Sequence, residues 1–146
     1  MRRLWIANVH DPKAAGYDLE LFLDLAWNID CTSATTLNDH YRRWLCREFG
    51  NDVGRRLFPV MHEYYRLCAM RRPEFMGWNQ TELDKRLYDR GLSPVRNSDW
   101  PQEQCDWFEG RFQKLSREVE NIGRNVRPAL SDAYFATIQY PVQAAA

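Results

Sequence analysis

No run of eighteen apolar residues occurs in the 146-residue chain, so no segment is long enough to cross a bilayer as a helix. Charge of one sign is also missing. Twenty basic and twenty acidic side chains cancel, which removes the positive field of a general nucleic-acid binder. Cysteine is sparse: Cys31, Cys46, Cys68 and Cys105 form no C-x-x-C pair and stand apart from His10, His40 and His62. That spacing argues against a structural zinc site and leaves the redox compartment open. Neither metal nor any other cofactor is expected. Equally absent are the H-E-x-x-H helix, the nucleophile elbow and a glycine-rich phosphate loop, each of which would have named a chemistry. Arg2 and Arg3 precede an apolar stretch, as in a secretory signal. That stretch is too short, and Asn8, His10 and Asp11 interrupt it.

What is present suits one packed domain. Hydrophobic residues make up 45% of the chain and aromatics 14%, enough to build a core and far from the composition of a disordered tail. The opening residues Leu4-Trp5-Ile6-Ala7-Asn8-Val9 read as a buried strand running into the polar tip His10-Asp11-Pro12-Lys13. If it is a parallel strand, Asn8 and Asp11 lie at its carboxyl end, where barrel enzymes meet their substrates. The alternative is a plain Asp-Pro turn. No second strand follows.

Helical periodicity takes over from there. A first helix, capped by Asp18, places Leu19, Phe22, Leu23, Ala26 and Trp27 on one stripe and ends at Asn28-Ile29-Asp30. A second, about 37–49, buries Leu37, Tyr41, Trp44, Leu45 and Phe49 and stops at Gly50. Asp52 caps a third, about 53–70, with Leu57, Val60 or Met61, Tyr64, Leu67 and Cys68 inward, and Pro59 is expected to bend it. A fourth starts near Pro101 and faces the core with Cys105, Phe108, Phe112, Leu115 and Val119. A fifth begins between Pro128 and Ser131, with Tyr134, Phe135 and Ile138 apolar and Pro141 inside it. The fold class is therefore mainly α, a bundle of about five helices preceded by one β-strand.

Residues 71–100 differ. They hold Pro73, Gly77, Gly91 and Pro94, with a short helix-like stretch from Thr81 to Tyr88. Within RRPEFMGW the bulky Phe75, Met76 and Trp78 fit either a loop tucked under the bundle or a docking surface for another domain. The acids Asp24, Glu63, Glu74 and Glu82 show no spacing that singles out a catalytic pair, and they read as solvated or ion-paired. His40 and His62 likewise read as structural or exposed. A ligand cavity lined by Trp44, Tyr64 and Phe112 is conceivable, but these aromatics read as core.

The order WIANVHDPK, FLDLAWN, RRPEFMGWNQTE, RGLSPVRN, AYFATIQYPVQAAA resembles the middle of the family 115 glycoside hydrolases, the xylan α-1,2-glucuronidases. The resemblance spans nearly the whole chain. It implies that residues 1–17 are the last strand and loop of a (β/α)8 catalytic barrel, and that 18–146 form a helical-bundle domain continuing beyond the last residue. It also implies an inverting hydrolase that removes (4-O-methyl)glucuronic acid from glucuronoxylan or aldouronic oligosaccharides without a metal. The acid and base would lie upstream, so no catalytic residue is expected here and the isolated piece should be inactive. Asn8 matches a sugar-contacting asparagine, and Asp11 and Lys13 follow as substrate-binding candidates. The sequence departs from the family at His10, where glycine is usual, and at Pro12. A secreted or periplasmic parent, contacts with its other domains, and parent homodimerisation are further implications, with neither nucleic acid nor membrane as partner. The rival from another class is a free-standing helical module that grips a protein partner and catalyses nothing.

Overall fold

Gly50 reverses the chain with φ +91°, a backbone state that side chains disfavour. On one side of it lies helix α2, Ala34–Phe49, and on the other α3, Asn51–Met70. The turn is a single residue: the Gly50 N–H donates to the Cys46 carbonyl (3.0 Å), and its own carbonyl accepts from Gly54 (2.8 Å). The two helices fold back as a hairpin. The computed structural model describes residues 6–9, 12, 15–30, 34–71 and 100–146. Within that range α1 is Gly16–Trp27 and α4 is Gln102–Gly123. A 3₁₀ turn, Pro128–Leu130, leads into α5, Ser131–Tyr134, then a π turn, Phe135–Gln139, and α6, Tyr140–Ala144.

The core is the one that the helical spacing marks. Tyr41, Trp44, Leu45 and Phe49 of α2 meet Leu57, Val60, Met61 and Leu67 of α3, with Phe112, Leu115, Val119 and Ile122 of α4 beside them. Tyr64, Cys68 and Phe108, from the expected inward rows of α3 and α4, pack on this core part-buried. The α2–α3 seam is tightest at Gly54, where a Cβ would stand 2.5 Å from the backbone of Cys46. Helix α3 continues through Pro59 to Met70. Both Pro59 and Arg55, whose carbonyl loses its helical donor, face solvent, so water can take the place of that bond. Asp52 stands in the first turn of α3 and Asp18 in that of α1. Neither is the cap that the sequence predicts, although both still face a positive helix end. Asn28 does end α1, its Oδ1 accepting from the Asp30 N–H at 3.0 Å.

One predicted face is wrong, and one residue of another. In α1 the row Phe22, Leu23, Trp27 is exposed by 37%, 56% and 93%, and Tyr17, Leu21 and Leu25 are part-buried instead. The helix is apolar nearly all round, so its periodicity admits two stripes and its contacts decide between them. At the other end Phe135 is half-exposed, and Tyr134, Ile138 and Val142 form the buried row. The π turn causes this. The Tyr140 N–H reaches back five residues to the Phe135 carbonyl, and the wider turn spaces the inward positions four apart. Pro141, with no N–H to give, follows directly. Tyr134 is pinned by its hydroxyl, which donates to the Val119 carbonyl at 2.6 Å.

The described residues contain no strand. Ile6–Val9 belong to no regular element. Leu4, Trp5, His10, Asp11, Lys13, Cys31, the Trp78 segment and the 81–88 stretch lie outside the described residues.

Candidate functional site

Helix α1 is attached to α2 by polar and aromatic contacts. Gly16 lies beside Trp44, a Cβ there standing at an ordinary contact distance of 3.9 Å from the ring. Tyr17 then packs on Tyr41 (4.2 Å between centroids), Trp44 (5.5 Å) and His40 (5.7 Å). Burial, aided by the charges of Asp18 and Glu20, pushes the Tyr17 phenol up to about 12, so it stays a protonated donor. One turn on, Glu20 accepts a two-pronged bond from Arg47 at 2.9 and 2.6 Å. That bond raises the Arg47 pKa further above its ordinary value. A turn later Asp24 meets His40, Nε2 to Oδ2, at 2.9 Å. An ionised Asp24 assigns the proton to Nε2. His40 Nδ1 is enclosed and unpartnered.

Donor atoms of Glu20, Asp24 and His40 lie within 4.8 Å of one another, close enough in principle to hold a metal ion. Both Glu20 oxygens are already taken by Arg47, however, and Asp24 by His40. The trio is accounted for as an ion-pair network bridging two helices.

Beside this network the seam opens into a cleft of ≈ 240 Å³. Leu21 and Leu25 give it an apolar wall with Trp27, and Asp24, Asn28, His40 and Arg43 supply polar groups. Helical spacing explains the convergence, with 21, 24, 25 and 28 sharing one side of α1 and 36, 40 and 43 one side of α2. Of the sequence-predicted site residues, Asn8 is exposed and outside regular structure, and Asp11 and Lys13 are outside the described residues. Sequence reasoning missed the seam because it judged Asp24 and His40 one at a time. The signal was the pairing of two rows, acids at 20 and 24 on one helix and bases at 40, 43 and 47 on the next.

The family model of glycosyl hydrolase family 115 matches residues 1–75, about half the chain, including α1, α2 and α3. The chain belongs to glycosyl hydrolase family 115. A solved structure agrees over 97% of the chain, at 39% identity and a TM-score of 0.81. It is BtGH115A, a family 115 4-O-methyl-α-glucuronidase with specificity for decorated arabinogalactans. This chain covers 18% of the length of BtGH115A. Among curated proteins no match is found. The chain is therefore a family 115 glycoside hydrolase segment of helical character, and its α1–α2 seam falls in the half that the family model recognises.

Proposed function

We propose that this chain is the helical scaffold of an α-glucuronidase that releases (4-O-methyl)glucuronic acid from a polysaccharide. The observation that carries the proposal is agreement along nearly the whole chain with one part of a 4-O-methyl-α-glucuronidase. In this reading residues 1–17 belong to the edge of a catalytic barrel and 18–146 to the bundle that supports it. The apolar row of α1, with Phe22 and Leu23 exposed by 37% and 56%, is the seat for the rest of such an enzyme. A polysaccharide too large to enter a cell places the enzyme outside the cytoplasm, secreted or periplasmic.

The bundle itself performs no hydrolysis. Inverting hydrolysis needs two carboxyl groups about 6.5–9.5 Å apart with a water between them. The acids brought closest at the seam, Glu20 and Asp24, are instead tied to Arg47 and His40. Asn8, with two donors and an acceptor, and Asp11 and Lys13 remain the residues of this chain proposed to reach the sugar.

The test has two arms. The chain alone, incubated with glucuronidated xylo-oligosaccharides or a glucuronidated arabinogalactan, should release no glucuronic acid. Grafted in place of the matching segment of BtGH115A, it should restore release, and the preferred polymer then identifies the backbone. Release by the chain alone would overturn the scaffold role. A stably folded but inactive graft would favour a free-standing interaction module.

A further inference from the structure

We propose that Arg71 and Trp100 form a clasp that ties both ends of residues 72–99 to one point, so that the helical bundle stands without that stretch and carries it as an insertion. The two residues are held by different helices. Helix α3 ends at Met70, and the Arg71 N–H still donates to the Leu67 carbonyl at 3.1 Å. Arg71 is thus fixed to the last turn of α3. Trp100 precedes Pro101, whose carbonyl accepts from the N–H groups of Gln104 (2.9 Å) and Cys105 (3.2 Å) and so opens α4. Between them the guanidinium carbon of Arg71 lies 3.8 Å from the centre of the Trp100 ring. Tryptophan is the most favourable ring for a cation, and the attraction grows where the pair is shielded from water. Both residues are part-buried.

The clasp is anchored in the core. Trp100 packs on Phe108 at 4.8 Å between ring centroids, and Phe108 lies 6.4 Å from Phe112, which is 1% exposed. Phe112 in turn meets Tyr64 of α3 edge-on at 6.3 Å. The path from Arg71 therefore passes through α4 and returns to α3, a closed ring of contacts at this end of the helix pair. About two turns further along α3, Arg66 and Arg111 share Glu63 and tie the same two helices again.

This arrangement explains how α3 and α4 stay paired without a short turn. Gly50 alone reverses the chain between α2 and α3, whereas α3 and α4 are linked through everything from residue 71 to residue 100. Closing a longer link costs more chain entropy, although the cost grows only with the logarithm of its length. A cation on a ring, backed by a ring stack, offsets that cost where the two ends meet. A link whose ends are fixed side by side can be shortened or exchanged with little effect on the elements that hold it. Phe75, Met76 and Trp78 are then not needed by the bundle, which favours the docking reading of their stretch over the tucked loop.

The first experiment replaces residues 72–99 with about six glycine and serine residues, which span roughly 13 Å. The shortened chain should unfold cooperatively within a few degrees of the parent, with the amides of α2, α3 and α4 equally protected from exchange. The second compares Arg71→Ala, Trp100→Ala and the double variant in the full chain. Each single change should lower the melting temperature and speed exchange in the last turn of α3 and the first turn of α4. The double variant should melt close to Trp100→Ala, because removing the second partner costs little once the first is gone. Both residues stand at helix ends, so unchanged protection across the α2–α3 hairpin verifies that each variant is folded. The inference falls if the shortened chain loses protection in α3 or α4, since residues 72–99 would then be part of the core. It falls equally if the two single effects add, which would make Arg71 and Trp100 independent contacts. No glycosidase activity is read, so either result leaves the scaffold role standing.

Discussion

Replacing Gly54 with alanine adds one methyl group where α2 and α3 are closest. That carbon would sit 2.5 Å from both Cα and N of Cys46 and 2.7 Å from the carbonyl carbon of Leu45. Carbon atoms settle at about 3.5–4.0 Å, so the helices must part by about 1 Å. The obstacle is backbone, and no rotamer change can relieve it. Separation loosens Leu45 and Leu57, both 0% exposed, and Val53 at 6%. Overpacking of this kind costs about 1–3 kcal/mol, and the upper end applies to a rigid obstacle. Alanine returns about 1 kcal/mol through its helix propensity, leaving a net loss of about 2 kcal/mol. At about 2–4 °C per kcal/mol for a chain of this size, the melting temperature should fall by about 4–8 °C. The control is Gly110→Ala in α4, where nothing lies within 4 Å of the added carbon. There only propensity acts, so the same change should stabilise by about 1 kcal/mol. Thermal unfolding followed by circular dichroism reads both. If Gly54→Ala melts at or above the parent, the close approach of the two helices is wrong, and with it the packing of the core.

Two further outcomes follow from the ion pairs. Glu63 of α3 is bonded by Arg66 and by Arg111 of α4. These bonds, that of Arg66 foremost, hold its carboxyl down at about 2, against an ordinary value of 4.5. A depressed folded pKa stabilises above the unfolded value and is lost as pH falls through the folded one. Glu63→Gln should therefore melt below the parent at pH 7, with the gap closing from about pH 4.5 down to about pH 2; a gap that stays constant over that window would refute the linkage. Arg47→Ala removes the fork on Glu20, a solvent-facing pair worth at most about 1 kcal/mol globally. Since α1 has no fully buried residue, its amides should nevertheless exchange faster while those of α3 stay protected. Unchanged exchange in α1 would show that the tyrosine stack and the Asp24–His40 bond hold it without the fork.

The reach of sequence reasoning differs from helix to helix. For α2, α3 and α4 the apolar rows are narrow and the other faces strongly polar, so only one rotation about each axis can bury them. Tyr41, Leu45, Leu57, Leu67, Phe112 and Val119 could be named as core from spacing alone. Gly50 could be named as a stop for the same kind of local reason. In α1, Leu19, Leu21, Leu23 and Leu25 spread around the axis, and periodicity could not select a face. The choice fell to residues distant in sequence, since Glu20 and Asp24 must turn toward Arg47 and His40.

Composition and local pattern by themselves determined a mainly helical chain, most of its core and the order of motifs that marks its family. Those properties depend on residues a few positions apart, whose geometry the helix itself dictates. Tertiary structure alone decided which side of α1 faces inward, how the π turn before Pro141 exchanged Phe135 for Val142 in the core, and that Trp27, Asn28 and Arg43 share a cleft. The physical reason is that these arrangements come from contacts between helices, and neither partner's own sequence encodes the distance to the other.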